Sequence, residues 1–235
     1  MGILDLLYPA RCPVCHEIVK GKGRICPACK KKLRYIKEPK CKKCGKEIEK
    51  PEQEYCRDCQ RFKHSFDKGA AVFAYDSVMR RSISMFKYHN RREYAKVYAK
   101  EMYEHCKYFL KIASPEVILP VPVHKQKKRQ RGFNQAELLA RALGEELGLP
   151  VQMLLKKQKK TKDQKSLSKA QRLKNVRDAF EINEAVAQEG IPQSVLLLDD
   201  VSTTGSTLTA CARVLKAHGV TRVSYISVCV AEQQE

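Results

Sequence analysis

Residues 195–198 are four consecutive aliphatics, Val-Leu-Leu-Leu, followed by the acid pair Asp199–Asp200 and a run of small hydroxylated residues around Gly205. An apolar run of this length bounded by turn formers predicts a strand buried on both faces, as in a parallel sheet. Past Gly205, STLTACARVLKAHG has apolar residues at helical spacing, Lys216 in its last turn and Gly219 as a C-cap. The stretch therefore reads as strand, loop, helix. In a parallel α/β sheet, ligands bind at the carboxyl ends of strands, where a helix N-terminus offers unpaired N–H groups to an anion.

A second unit of the same kind lies upstream. EVILPVPV reads as a buried strand stopped by prolines, and HKQKKRQRGFNQ as a basic loop. A helix follows, with Asn134 at the N-cap, Glu137 completing a capping box, Leu139, Leu143 and Leu147 along one face, and Gly148 at the end. From about residue 157 to 177 apolar residues are sparse and periodicity is lost before Leu167, which predicts a mobile basic loop able to close as a lid.

The N-terminal pattern is different. Aliphatic residues are few, and eight of the chain's eleven cysteines form four C-x-x-C pairs: Cys12 and Cys15, Cys26 and Cys29, Cys41 and Cys44, Cys56 and Cys59. The segment is an internal repeat, so two copies imply two equivalent tetrathiolate sites of the kind structural zinc prefers. Simple repetition groups the first four cysteines around one ion and the last four around another; the spacing also admits an interleaved pairing. An iron-sulfur cluster and a redox dithiol compete with zinc, but regular knuckles in a segment with so little core favour folding by metal. Cys106, Cys211 and Cys229 stand in apolar surroundings and read as small core residues.

Composition fits a soluble two-part protein, with a boundary near residue 65. The N-terminal MGILDLLYPARC lacks a basic start and a long apolar core, and no stretch approaches a membrane span. The expectation is a cytoplasmic protein without membrane insertion, and reducing conditions there favour metal over disulfides. Lys and Arg number 46 against 26 Asp and Glu, a formal charge of +20, which favours a polyanionic partner. Residues 1–65 carry 17 Lys or Arg and 8 Asp or Glu. Two zincs, each held by four thiolates at a net charge of about −2, would bring this module to about +5, so its basic excess speaks less for nucleic acid than it first suggests. Residues 124–177 hold the larger excess, 16 basic residues against 4 acidic. Single-stranded DNA would have to stack on Tyr88, Tyr35 or Phe133, since Trp is absent. The expected binding is modest, independent of sequence and sensitive to salt.

VLLLDDVSTTGST resembles the signature with which type I phosphoribosyltransferases bind phosphoribosyl pyrophosphate (PRPP). Together with LPVPVHKQKKRQRGFNQAELLA, the later QKSLSKAQRLKNVRDAF and the N-terminal cysteine pairs, the chain resembles the ComF family of bacterial competence proteins over nearly its whole length. Ser202 departs from the aliphatic residue usual in the signature. The resemblance implies a Rossmann-like parallel sheet over residues 66–235 behind a double zinc ribbon over residues 1–65. It implies a PRPP site at Asp199, Asp200, Val201, Ser202, Thr203, Thr204, Gly205, Ser206 and Thr207, with the acid pair on the ribose hydroxyls and Thr203 to Thr207 around the 5′-phosphate. Arg131 and Lys87 become candidates for the pyrophosphate, which normally carries Mg²⁺. The implied activity is phosphoribosyl transfer to an unidentified acceptor; the alternative is a PRPP sensor or scaffold within the DNA-uptake machinery that binds single-stranded DNA and a competence helicase. A receiver-like domain would place its acids after the first strand, and a P-loop nucleotidase would need G-x-x-x-x-G-K-[ST], which is absent.

Overall fold

The structure, a computed structural model, describes residues 10–19, 24–158 and 179–231. Two short helices, α1 (Pro27–Lys30) and α2 (Arg57–Arg61), belong to the cysteine-rich segment. The rest runs β1 (Lys68–Ala74), α3 (Ser77–Tyr88), α4 (Tyr94–Ala113), β2 (Val117–Pro120), α5 (Lys125–Arg131), α6 (Gln135–Leu147), β3 (Leu155–Lys157), β4 (Phe180–Ile182), α7 (Glu184–Ala187), β5 (Ser194–Ser202), α8 (Ser206–Ala217) and β6 (Arg222–Val230).

Four strands form a parallel sheet in the order β1-β6-β5-β2, and β3 pairs with β4 in a separate antiparallel hairpin. The central pair carries the apolar runs. Val195 to Leu198 are fully buried, as are Ile226, Val228 and Cys229 opposite or beside them. Helices cover the sheet: α4 packs on α6, β1 and β6, α6 on β5 and β2, and α8 on β6 and β4. Burial from both sides is the reason these strands show no polar alternation.

Three elements differ from the expectations. Strand β1, KGAAVFA, carries little sequence signal because Gly and Ala have low strand propensity; pairing with β6 makes it a strand. The segment HKQKKRQ is not a loop but helix α5, capped at its start by His124 and ended at Gly132. The capping box at α6 forms only by half: Asn134 accepts from the Ala136 N–H at 3.2 Å, while Glu137 is drawn away to Lys128 at 3.3 Å and Arg141 at 3.1 Å. The basic loop expected over residues 157–177 lies outside the described residues except for its start, where Lys157 ends β3.

The ribbon segment and the α/β domain share one apolar core, in which Cys12, Ile25, Leu33 and Ile48 join the sheet residues. The linker after the first ribbon lies along the free edge of β1. Ile36 N–H donates to the Val72 carbonyl and Ala74 N–H to the Arg34 carbonyl, each at 2.9 Å, so the edge strand is covered. Glu101 of α4, 3% exposed, gathers Tyr35 Oη at 3.0 Å, Lys30 Nζ at 3.3 Å and His105 Nε2 at 3.3 Å. The first knuckle is tied down by the Ser82 hydroxyl on the Pro13 carbonyl and by a 2.6 Å bond between His16 and Tyr94. Among the described residues, no helix is long and apolar enough to cross a membrane.

Candidate phosphate-binding and metal sites

The eight paired cysteines resolve into two groups in sequence order, Cys12, Cys15, Cys26 and Cys29, then Cys41, Cys44, Cys56 and Cys59. Within each group the sulfurs lie within 4.8 Å of one another. A tetrahedron of thiolates around zinc, with bonds of about 2.3 Å, has edges of about 3.8 Å. Cys15 Sγ to Cys26 Sγ at 3.8 Å and Cys44 Sγ to Cys56 Sγ at 3.5 Å fit that cage, so sequential rather than interleaved grouping is what the chain adopts. Cys106, Cys211 and Cys229 are buried and lie apart from both cages.

At the other end of the molecule's chemistry, β5 runs on through both aspartates to Ser202 before the chain turns into α8. Successive strand residues point to opposite faces. Asp200 therefore turns toward α3, where Lys87 Nζ stands 2.6 Å from its Oδ2, while Asp199 turns toward Cys211 of α8. Backbone also holds the pair: Asp199 Oδ1 accepts from the Asp200 N–H and Asp200 Oδ1 from the Val201 N–H, both at 2.9 Å. Burial, reinforced by the adjacent Asp200 carboxylate and opposed by Lys87, pushes the Asp199 carboxyl up to about 8. Burial would draw Lys87 down, but the Asp200 carboxylate outweighs it and holds the ammonium above its ordinary value.

The loop after β5 is shaped by its own hydroxyls. Thr204 donates to Ser206 Oγ at 3.0 Å, and both residues are buried. Gly205 sits at the N-cap of α8 with φ of 70°, a left-handed conformation that a side chain would strain, and no side chain caps the helix. By contrast Asp76 caps α3 and Asn134 caps α6. Thr204 Oγ1 accepts from the Ser206 N–H at 3.4 Å, so it is the N–H groups beyond Ser206 in the first turn of α8 that can meet an anion.

Both candidates for pyrophosphate are tied to the last turn of α3. Arg131 lies 4.8 Å over the Tyr88 ring, donates to Tyr88 Oη at 2.9 Å and donates to Gln135 Oε1 at 2.9 Å. Tyr88 follows Lys87 on the last turn of α3, so one turn positions both cations. Lys87 lies between β1 and β2, so it does not precede the first strand of the sheet. The seat for Arg131 was not foreseen either; its local trace is the run RGFNQ, which carries Arg131 and Gln135 together. Lys157 of β3 lies 5.0 Å over Phe180, and burial, ahead of its charged neighbours, holds it below its ordinary value.

The aromatic platforms expected for single-stranded DNA all carry a neighbour already, Arg131 over Tyr88 among them, and differ in exposure. Tyr88 is 60% exposed, Phe133 is buried with Arg92 4.8 Å over its ring, and Tyr35 packs on Phe73 and His105.

This arrangement defines a protein with a double zinc ribbon joined to a phosphoribosyltransferase-type α/β domain. The family model for the double zinc ribbon domain matches residues 3–60, and that for the phosphoribosyl transferase domain matches residues 129–235. The chain is 32% identical to competence protein F of Haemophilus influenzae, covering 91% of this chain and 93% of that one, and belongs to the competence protein F (ComF) family. It is 29% identical to competence protein ComFC of Bacillus subtilis over 86% of this chain and 82% of that one. It is also 25% identical to DNA utilization protein YhgH of Salmonella typhimurium, over 96% and 92% of the two chains.

Proposed function

We propose that the chain binds PRPP at the carboxyl end of β5 and transfers its phosphoribosyl group to an acceptor nitrogen, as a cytoplasmic component of DNA uptake. The observation that carries this reading is the start of α8 close after the acid pair, where the N-cap Gly205 has no side chain and Ser and Thr hydroxyls line the turn between them. Thr203 to Thr207 would enclose the 5′-phosphate, the helix N–H groups and hydroxyls donating to its oxygens. Asp199 and Asp200, with Val201 and Ser202 completing the strand end, would accept from the ribose 2′ and 3′ hydroxyls.

Among the described residues, the clusters of three or more ligand side chains are the two cysteine cages, and Asp200 is already balanced by Lys87. Mg²⁺ would arrive bound to the substrate's pyrophosphate, where it would offset the leaving charge. The C1–O bond breaks with its electron pair going to pyrophosphate, the acceptor nitrogen supplies the new bond to C1, and that nitrogen then loses a proton. Arg131 and Lys87 stabilise the departing charge; Arg131 can do so with a two-pronged guanidinium already oriented by Tyr88 and Gln135.

The second reading is a PRPP sensor or scaffold that binds single-stranded DNA and a competence helicase. Helix α5 favours it: five of its seven residues are basic and none of the seven is buried. Titration of PRPP with and without Mg²⁺ into wild type and Asp200→Asn tests the shared ligand, and pyrophosphate release with a panel of nitrogen acceptors separates the readings. Sharp loss of heat in the variant supports PRPP at this site, and release supports transfer. PRPP binding without release supports the sensor, and absence of binding by the zinc-loaded wild type sinks both.

A further inference from the structure

The second ribbon does not hang free of the α/β domain; it forms a wall behind the loop that follows β5. Tyr225, fully buried in β6, donates through Oη to the Cys44 carbonyl at 2.8 Å. The next residue, Gly45, presses its backbone against β1 so closely that a Cβ there would stand 2.5 Å from the Gly69 carbonyl oxygen. Phe66 meets the Tyr225 ring edge-on, with centroids 4.8 Å apart, and His64 stacks on Phe66 at 4.8 Å. His64 Nδ1 is hydrogen-bonded at 2.8 Å to Thr209 Oγ1, in the first turns of α8. A Cβ at Gly205 would lie 3.3 Å from the His64 ring.

The space left between this wall and Ser202 to Gly205 is about 10 Å³, room for about one water. The wall is packed closely against the loop. It also offers the loop shape rather than an attracting charge at its buried lysine, because Lys46 is paired at 2.9 Å with Asp58 and both are buried.

Two physical facts connect this wall to ligand affinity. The bonds between Thr204 and Ser206 are internal to the loop and Gly205 adds no cap, so where the loop stands depends on what it leans against. The ribbon has little apolar core of its own, so its shape depends on the metal its four thiolates hold. We infer that the second cysteine cage and His64 position the phosphate loop: the metal held by Cys41, Cys44, Cys56 and Cys59 fixes the wall, and His64 transmits that geometry to α8 through Thr209. His64 is a positioning residue that touches no ligand. The inference rests on reading residues 203–207 as a phosphate loop and adds that its affinity depends on the second ribbon.

Binding of ribose 5-phosphate tests this in the full-length zinc-loaded protein, with amide NMR shifts of Gly205 and Thr207 as the accompanying readout. Expected results are about a tenfold loss of affinity in His64→Ala with shifted loop amides, recovery in His64→Asn, which keeps a polar atom at the Nδ1 position, and no change in Tyr35→Phe, which perturbs a ribbon contact at Glu101. Cys59→Ser should lose one zinc and show the same loss of affinity. Unchanged affinity in His64→Ala at full zinc content, or in Cys59→Ser after loss of a zinc, overturns the coupling while leaving the phosphate loop intact. No binding by wild type overturns the phosphate reading itself, so the two failures are distinct.

Discussion

Lys87 Nζ lies 2.6 Å from Asp200 Oδ2, joining the last turn of α3 to the end of β5 across 113 residues of chain. The pair is four-fifths or more buried on both sides, so each charge depends on the other. Lys87→Met leaves the buried Asp200 carboxylate without its partner and should destabilise the protein by about 3 kcal/mol, the lower end for breaking a buried pair. The double variant Lys87→Met/Asp200→Asn should recover most of that loss. Urea unfolding of the two singles and the double checks it, and additive losses would mean the pair contributes no coupling.

Asp199 gives a pH dependence of determined sign. Its carboxyl stands at about 8 in the fold against 3.8 ordinarily, so between those values the folded state holds a proton that the unfolded chain has released. Stability from this group is present at acid pH and falls as pH rises through the window. Asp199→Asn removes the titrating group. The wild-type melting temperature should fall more between pH 5 and 9 than that of Asp199→Asn, and parallel profiles would contradict the assignment.

Arg131 is held by a fork and a stack, neither of which lysine reproduces. Arg131→Lys should therefore weaken inorganic pyrophosphate binding about tenfold, a loss of one charge-assisted hydrogen bond. Tyr88→Phe, which keeps the ring and loses the hydroxyl, should cost less. Competition of pyrophosphate against PRPP measures both.

Metal content should be two zinc ions per chain. Because the ribbon cysteines lie in the same apolar core as the sheet, chelation should lower the melting temperature of the α/β domain as well as the ribbon. Circular dichroism in the far ultraviolet follows the helices; an unchanged transition after zinc loss would show the two parts to be independent.

If α5 contacts single-stranded DNA, affinity should fall linearly with the logarithm of salt. Lys125→Gln and Arg129→Gln, both exposed, should each lower the slope by about 0.7. Fluorescence anisotropy of a labelled oligonucleotide across salt concentrations tests this, and slopes equal to wild type would remove α5 from the interface.

The sequence by itself determined what is locally encoded. The spacing of Cys12 to Cys59 specified two tetrathiolate cages, because a C-x-x-C turn sets two sulfurs side by side wherever it occurs. The run Val195 to Asp200 with Gly205 specified strand, turn and helix, because burial on both faces and a left-handed turn both leave residue-level marks. Strand β1 left none; its Ala and Gly residues are a strand only because β6 supplies the ladder on one side and the Arg34–Ile36 linker covers the other. Tertiary structure alone decided that Lys87 faces Asp200, that Tyr88 seats Arg131, and that His64 meets Thr209. These contacts join residues 43 to 145 positions apart, and which side chains meet is set by how the helices and the ribbon pack on the sheet, a collective result that no local pattern records.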